Sequence, residues 1–494
     1  MFRKSAYSCK GLRESFMISK FHQNIKIKSC IVAFTAIIIY FINPFGLRTA
    51  TVKYSEDIFI RLLSPWYDNK GESEITIVLI DDLYIGRTEK QYPVTYTQLS
   101  KLFRVIKQHK PSAVFFDIFH HYEHSNGLTN WLSELDQAKF PTLMASLPWI
   151  DTPKELSSDN SIRNKLDKVT QLTTVGWRGY EYGHYYPLII KNPHYKPPEP
   201  ASNKWLSSAA FDLYKIWCRN NQEQCQVQDK DLNNLSIWSQ PMVIQWSSRA
   251  ASGQEKDLYL KEPCRNVPSS KIRHLFEFFK LEFGRLLPDF FNHLEHQRKT
   301  CFHLRTLSAA ALIEPSVMDP EHKINTALKG RIVLVGYYLQ GSTDRISSPI
   351  HGQLPGVFAH AMALDNLINY KDGYWQVSST LIGSITLSDL IEGLLQGIAL
   401  ALASYYRMWY LSLAVWKEEE AYKDISKEEK TYKCNLIILL CTFLFLFTLS
   451  LFLCFYANWG VTNLLTLCLA LGIWLEAVVE KNVIPRLRPL KTTK

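Results

Sequence analysis

Four apolar segments of near membrane-spanning length bracket a long polar middle, and this pattern constrains the fold more than any other feature of the sequence. The segments lie at residues 29–45, 387–408, 435–457 and 462–479. About 20 consecutive apolar residues form a helix long enough to cross a membrane. We therefore expect four transmembrane helices and a water-exposed domain at residues 46–385. The alternative for the first segment is a cleaved signal peptide, although its end lacks the small residues typical of a cleavage site.

The net charge of +10 lies largely beside these segments. Basic residues dominate the two tails, residues 1–28 and 480–494. Basic flanks stay on the cytoplasmic side of a membrane, because cationic loops resist translocation. The charge therefore predicts a multi-pass protein of the bacterial inner membrane, with both tails in the cytoplasm and the large domain in the periplasm. It does not require a nucleic-acid partner.

The polar middle has the pattern of an α/β domain. Residues 75–80 form an apolar run typical of a strand that is buried on both faces. The apolar residues of 97–109 have helical spacing, and residues 113–117 are predicted to form the adjacent strand. Further strands are predicted at 142–146, 242–246 and 331–336, with helices at 209–218 and, amphipathic, at 271–297. We expect a mixed, largely parallel sheet flanked by helices, a helical insertion at about 201–305, and an α-helical membrane region.

Several short motifs together resemble the second type of CHASE domain, an extracytoplasmic sensory domain of bacterial cyclases and histidine kinases. In chain order they are Leu79-Ile80-Asp81-Asp82, Tyr92-Pro93, residues 113–119, Gly336 with Asp344, Pro355-Gly356 and His360-Ala361. The resemblance covers residues 55–370 and implies one membrane helix before the sensor and three after it. Members of that family usually continue into a cytoplasmic effector, which we do not find here. Val94-Thr95 stand where the family commonly has a basic residue.

Acidic residues follow the predicted strands and are the candidate ligand-binding residues. Asp81 and Asp82 end the first strand, Asp117 ends the second, and Asp344 lies in the loop after the last. Open α/β sheets bind ligands at the carboxyl ends of their strands. The alternative is that these side chains cap helices or turns.

Histidines give a weaker prediction. His120, His121 and His124 are close in sequence, and imidazole is a common metal ligand. Loop histidines without a carboxylate at fixed spacing usually bind no metal, so we expect no metal site. His360 opens the helix that leads toward the membrane and is expected to be a satisfied core histidine.

Two glycines near Asp344 raise the question of an anion site. Gly336 and Gly341 are not spaced as in a phosphate-binding loop, so turn geometry is the favoured explanation. No cofactor is predicted.

Four cysteines fall in the predicted periplasmic domain, where disulfides form. They are Cys218, Cys225, Cys264 and Cys301, which allow three pairings. The pairs Cys218–Cys225 and Cys264–Cys301 close the shortest loops and are favoured. Zinc is the alternative, although no C-x-x-C spacing is present.

Small residues recur every four positions in the second membrane segment. Gly393, Gly397 and Ala401 would let another helix approach closely, either from this chain or from a second copy in a homodimer. The charged residues 409–434 that follow are predicted to form a cytoplasmic helix. A separately encoded effector could dock there, although a solvated helix is the simpler interpretation.

These observations predict a membrane receptor rather than an enzyme, because no side-chain pattern indicates nucleophilic or acid–base catalysis. The alternative is a structural or scaffold subunit of an envelope complex that senses nothing. A third interpretation is an exported metal-dependent hydrolase that uses Asp81, Asp82 and the histidines.

Overall fold

The structure is a computed structural model that describes part of the chain in two compact units. The described residues are 27–43, 46–68, 70–88, 92–149, 161–176, 185–196, 204–234, 237–251, 272–273, 302–313, 323–341, 344–376, 380–382, 385–386, 389–391, 393–394, 396–405 and 408. One unit is Ile58–Val377, and the other combines Met1–Asp57 with Ser378–Lys494.

A six-stranded parallel sheet is the centre of the unit Ile58–Val377. Its strands are β1 (Ile75–Asp81), β2 (Ala113–Asp117), β3 (Thr142–Ser146), β4 (Gln171–Thr174), β9 (Arg305–Ser308) and β10 (Ile332–Tyr338). The spatial order is β4-β3-β2-β10-β1-β9, and every neighbouring pair is parallel. The predicted α/β fold with a largely parallel sheet is confirmed.

The other strands form short antiparallel pairs. They are β5 (Tyr185–Tyr186) with β8 (Met242–Val243), β6 (Ile189–Lys191) with β7 (Trp205–Ser207), β11 (Arg345–Ser348) with β12 (Gly352–Pro355), and β13 (Thr380–Ile382) with β14 (Ile385–Thr386).

Helices cover both faces of the sheet. In chain order the helices are α1 (residues 27–42), α2 (Leu47–Leu63), α3 (Asp82–Thr88), α4 (Tyr96–Gln108), α5 (Leu128–Asp136), α6 (Ile162–Asp167), α7 (Ala209–Asn220), α8 (Gln222–Cys225), α9 (Asp229–Leu232), α10 (Lys323–Leu328), α11 (Val357–Tyr370) and α12 (residues 389–405 where described). Single 3-10 turns occupy Ser64–Trp66, Lys70–Ser73, Ala309–Ile313 and Lys371–Gly373.

Side chains alternate between two cores because successive strand residues point to opposite faces. Ile77 and Leu79 of β1 pack in the core that contains α7 and α11. Val78 and Ile80 pack in the other core, with α4, α5, α6 and α10. These four helices connect consecutive strands, and each connection moves toward the same edge of the sheet. Connections that lie on one face and move in one direction all have the same handedness. This agrees with the rule that crossovers between parallel strands are right-handed.

The local signals of helix α4 explain why it begins where it does. The Thr95 side chain accepts a hydrogen bond from the Gln98 backbone N–H, and the Gln98 side chain accepts one from the Thr95 backbone N–H. This capping box fixes the first turn. The apolar spacing of α4 then places Leu99, Phe103 and Ile106 in the core.

Two sequence predictions about the sheet require correction. The strand ending at Asp117 is not adjacent to β1, because β10 lies between them and pairs with both. The strand predicted at 242–246 spans only Met242–Val243, since its one described partner strand, β5, has two residues. Strand β9 and the β11–β12 hairpin were not predicted. Helix α7, inside the predicted insertion, packs in the sheet core.

The predicted membrane segments lie in the unit formed by the two ends of the chain. Residues 27–42 and the described parts of 389–405 are helical. No helix among the described residues is both long and apolar enough to span a membrane. The predicted spans at 435–457 and 462–479, the charged helix at 409–434 and the tail at 480–494 lie outside the described residues. So do all but residues 27–28 of the tail at 1–28 and all but residues 272–273 of the helix at 271–297.

Candidate functional site

The carboxyl ends of β2 and β10 form the natural position for a site. After β2 the chain passes to α5 on one face of the sheet, whereas after β10 it passes to α11 on the other face. Such a divergence between neighbouring parallel strands opens a crevice outside their carboxyl ends. Asp117, the last residue of β2, lies opposite Gly336 of β10 in the strand register. Asp117 therefore stands at this crevice.

The carboxylate of Asp117 is nearly buried, with its side chain 10% exposed. It accepts no hydrogen bond from any residue that the structure describes. The imidazole of His360 faces it, with Nε2 3.7 Å from Oδ1, which is too long for a hydrogen bond. Burying an ionised carboxylate without a donor is costly. The Asp117 carboxyl group would therefore be stabilised either by protonation or by a ligand that donates a hydrogen bond to it.

The tautomer of His360 follows from its partner. The Tyr186 hydroxyl oxygen accepts the Ala210 backbone N–H at 3.1 Å and lies 2.6 Å from His360 Nδ1. We assign the hydroxyl proton to the bond with Nδ1, so neutral His360 carries its own proton on Nε2, toward Asp117. Burial lowers the pKa of His360 to about 3. The ring is therefore neutral at physiological pH.

The second carboxylate of the site belongs to Asp344, in the loop before β11. This carboxylate lies beside Gly356, the residue that precedes α11. The Gly356 backbone N–H donates a hydrogen bond to it. A Cβ on Gly356 would lie 2.3 Å from the Asp344 Oδ1, so a larger residue there would displace this carboxylate. The next residue, Val357, lies over Gly336: a Cβ on Gly336 would be 2.7 Å from the Val357 Cβ. Gly336 pairs with Asp117, and these contacts bring the two carboxylates into one cluster.

Burial raises the pKa of both carboxyl groups, and the charge of Asp344 adds to this shift at Asp117. Burial raises the pKa of Asp117 well above its usual value, and the negative charge of Asp344 raises it further. Burial also raises the pKa of Asp344, while the Gly356 N–H opposes this shift. Two carboxylates that share a site do not readily ionise together. The pair therefore holds a proton more tightly than an isolated aspartate does.

Asp81 and Asp82 form a separate group. The Asp81 carboxylate accepts hydrogen bonds from the Ser308 hydroxyl at 2.7 Å and the Tyr84 backbone N–H at 2.9 Å. Burial raises the pKa of Asp81, and these two donors oppose the shift. The Asp82 carboxylate accepts the Gln340 backbone N–H at 3.3 Å. Asp81 caps the start of α3, as in the capping alternative. It lies two strands away from Asp117 in the sheet and two residues further along its strand, roughly 12 Å from it.

The family of this chain follows from comparison of its sequence with known protein families. The sequence matches the CHASE2 domain over residues 32–399, which is more than half of the 494-residue chain. The chain belongs to the CHASE2 domain family. CHASE2 domains are extracellular sensory domains. No curated protein and no solved structure matches the chain. The matched residues contain the whole six-stranded sheet, the Asp117–Asp344 cluster and α11.

The loop histidines His120 and His124 contact Tyr96, which packs in the core on the opposite face of the sheet from α11. The His120 ring stacks on His124 at 6.0 Å, and Tyr96 lies 4.5 Å from His124. His120 Nε2 is buried without a hydrogen-bond partner, and burial followed by the nearby His124 lowers the pKa of His120 to about 4. His121 stacks on Phe119. Within the described residues, no group of three or more His, Cys, Asp or Glu side chains could hold a metal ion.

The two glycines near Asp344 have different roles. Gly341 has a φ of +83°, a left-handed conformation that favours glycine in a turn. Gly336 allows close approach of α11 to β10. Both observations agree with a structural explanation of these residues.

A buried polar network on α11 was not predicted from the sequence. The Tyr67 hydroxyl donates to Asp365 Oδ2 at 2.7 Å and accepts from the side-chain amides of Asn366 and Asn369. His303 Nε2 lies 3.3 Å from the same Asp365 oxygen, and both side chains are at most 1% exposed. The network joins the chain segment after α2 to the second half of α11.

A sequence signal for this network exists in retrospect. Helix α11 is buried along almost its whole length, yet Asp365, Asn366 and Asn369 interrupt its apolar sequence. Buried polar side chains need hydrogen-bond partners. Their partners, however, lie about 300 positions earlier in the chain, for example 298 positions for Tyr67. A sequence pattern therefore indicates that partners exist but not which residues they are.

The cysteine prediction is tested only in part. Cys218 and Cys225 form a disulfide that joins the end of α7 to α8, as predicted. Cys264 and Cys301, the other predicted pair, lie outside the described residues.

The small residues of α12 face α1 within the terminal unit. A Cβ on Gly393 would lie 3.1 Å from Tyr40, and one on Gly397 would lie 2.6 Å from Ile37. Ala401 is half-buried. The close approach at Gly393 and Gly397 therefore occurs between two helices of the same chain.

Proposed function

We propose that this protein is a membrane-anchored sensor. In this proposal the CHASE2 domain receives a signal in the periplasm, four helices anchor it in the bacterial inner membrane, and a separate effector reads the response in the cytoplasm. The sensory family supports the first part, and the apolar segments with basic flanks support the second. The protein itself catalyses no reaction and uses no cofactor.

The single observation that carries the proposal is the nearly buried carboxylate of Asp117, which lies beside Asp344 and His360 and accepts no hydrogen bond from the described residues. Asp81, by comparison, accepts hydrogen bonds from the Ser308 hydroxyl and the Tyr84 backbone N–H. Asp117 does not, although it is nearly buried. A group kept in this costly state marks a position whose interactions are completed by something that binds.

Helix α11 is the element that carries the response. Its first turn holds His360 and adjoins Asp344, and its second half holds Asp365 in the network with Tyr67. A change at the carboxylate pair therefore reaches the segment that follows α2 through one rigid helix. The chain leaves this unit at Val377, seven residues after α11 ends at Tyr370.

The output in this proposal is a change in how α1 and α12 pack. Gly393 and Gly397 are in close contact with Tyr40 and Ile37, so a small rotation or translation of α12 requires a different packing. A signal shifts this equilibrium only if it binds the two states with different affinity. An effector bound at residues 409–434 would read the change, in a monomer or a homodimer.

Hydrogen–deuterium exchange of the purified full-length chain tests this coupling. Asp117→Asn neutralises the site without changing its size, and Asp136→Asn is the matched control at an exposed position of α5. We expect Asp117→Asn to change exchange in residues 357–370 and also in residues 389–405, by several-fold in rate. We expect no change at either place in the control.

The result separates the sensor from the scaffold. An effect that stays within a few residues of Asp117 would favour a structural subunit that senses nothing.

The proposed effector is tested separately. Deletion of residues 409–434 should abolish co-purification of the cytoplasmic partner, and unchanged recovery would contradict docking at these residues.

A further inference from the structure

We propose that the signal received at the Asp117–Asp344 pair is acidity: one proton, shared by the two carboxyl groups, switches the position of α11. This inference rests on the proposed sensor function and names its signal. It requires no pocket for a larger molecule, which agrees with the 10% exposure of the Asp117 side chain.

The site can stabilise one negative charge but not two. The start of α11 supplies the Gly356 N–H and the positive end of the helix dipole, and both act on Asp344. Asp117 has no corresponding donor among the described residues. The ionised form of the pair therefore belongs to Asp344, and the proton belongs to Asp117. A protonated Asp117 can donate a hydrogen bond to the Asp344 carboxylate, which satisfies both groups.

His360 is not the group that titrates. Its Nδ1 is bonded to the Tyr186 hydroxyl, and its Nε2–H already faces Asp117. A second proton would have to displace the Tyr186 hydrogen bond inside a buried site. Burial lowers the pKa of His360 to about 3, so the ring stays neutral while the carboxyl pair exchanges its proton. This assignment differs from the usual expectation that histidine is the pH sensor.

The other ionisable groups around the pair are engaged elsewhere. Tyr186 of β5 accepts the Ala210 N–H, and Asp212 of α7 is paired with Lys215 at 2.6 Å and accepts the Thr173 hydroxyl at 2.7 Å. Arg345, next to Asp344, donates to the Leu339 carbonyl at 3.1 Å and lies over the Tyr338 ring. Within the part of the chain that the structure describes, Asp344 of the loop before β11 and His360 of α11 also face Asp117.

The proton step gives a direct mechanical consequence. At low pH one hydrogen ion from solvent binds a carboxylate oxygen of Asp117, and the pair changes from two negative charges to one. The hydrogen bond to Asp344 then draws the start of α11 toward β2. When the pH rises, Asp117 releases the proton to solvent and the two charges repel. Because Asp344 is held by Gly356, the repulsion acts on the first turn of α11.

Infrared difference spectroscopy on the full-length chain in lipid nanodiscs tests the proposal, because a protonated carboxyl group has its own C=O band. We expect a band whose pH midpoint lies above ~3.9, the usual value for aspartate, because burial and the charge of Asp344 both raise the pKa of Asp117. Asp117→Asn should remove this band. Asp344→Asn should lower its midpoint, because the neighbouring charge is gone. Asp136→Asn, at an exposed position of α5, should leave the band in place.

Two results would overturn the acid-sensing proposal. One is a band with an ordinary midpoint or one that survives Asp117→Asn. The other is a midpoint that moves when magnesium chloride or methylammonium chloride is added at constant ionic strength, because a cation would then be the ligand. In either case the coupling of residues 357–370 to 389–405 can still be present, so the sensor function stands or falls separately on hydrogen exchange.

Discussion

Asp117 combines three properties that rarely occur together in a structural residue: burial, a missing donor and a neighbouring negative charge. Each property raises the free energy of the ionised form. The sequence predicted Asp117 and Asp344 as candidates because both follow strands. It also predicted Asp81, whose carboxylate is instead satisfied by Ser308, 227 positions away in the chain. A contact of that range is not visible in a local pattern.

Asp117→Asn should stabilise the protein at neutral pH. The pKa of Asp117 is higher in the folded than in the unfolded chain, so its contribution to stability is fully present below pH ~4 and is lost as pH rises through the folded pKa. The asparagine amide removes this loss and can donate to Asp344. Each unit by which the pKa is raised corresponds to about 1.4 kcal/mol.

Thermal unfolding of the full-length chain between pH 4 and 8 checks this prediction. The melting temperature of wild type should fall with rising pH more steeply than that of Asp117→Asn, and Asp136→Asn should follow wild type. A variant that is less stable than wild type at pH 7 would show that the ionised carboxylate contributes favourably.

Tyr67→Phe should destabilise the CHASE2 domain by about 1–3 kcal/mol. The hydroxyl donates to Asp365 and accepts from Asn366 and Asn369, so its removal leaves buried groups unsatisfied. Tyr122→Phe is the matched control, because Tyr122 is 69% exposed. Chemical denaturation measures both. Equal midpoints for the two variants would mean that the network contributes nothing to stability.

At the scale of elements, the insertion of β10 between β1 and β2 determines where the site lies. Apolar runs predicted all three strands, because buried parallel strands are apolar on both faces. Their order was not predictable in the same way: β10 follows β2 by more than 200 residues. Strand β9 was missed because its sequence, Arg-Thr-Leu-Ser, lacks an apolar run even though all four residues are buried.

Gly336→Ala should separate α11 from the sheet. The added Cβ would lie 2.7 Å from the Val357 Cβ, closer than packed carbon atoms allow, and overpacking of this kind costs about 1–3 kcal/mol. The midpoint of the Asp117 carboxyl band should fall, because Asp344 moves away with α11. In Gly86→Ala, the control, the new Cβ meets no atom within 4 Å.

Denaturation and infrared titration of the two glycine variants distinguish the outcomes. If Gly336→Ala loses stability but keeps the wild-type midpoint, α11 does not set the distance between the two carboxylates. The mechanical step of the acid switch would then be wrong.

At the scale of the whole molecule, the chain divides into a sheet-containing unit and a unit built from its two ends. From the apolar segments, the sequence predicts a water-exposed domain at residues 46–385 between membrane helices. The chain passes from one unit to the other after Asp57 and again after Val377. In sequence, these positions precede the first strand and follow the last strand of the six-stranded sheet. The proposed direction of signalling, from the exterior to the cytoplasm, depends on which side of the membrane that sheet occupies.

Reporter fusions measure this directly. Alkaline phosphatase, which is active only after export, should be active when fused at residue 180 and inactive when fused at residue 420. A cytoplasmic reporter, β-galactosidase, should give the opposite pattern at the same two positions. Phosphatase activity at residue 420 together with β-galactosidase activity at residue 180 would contradict an exported sensor.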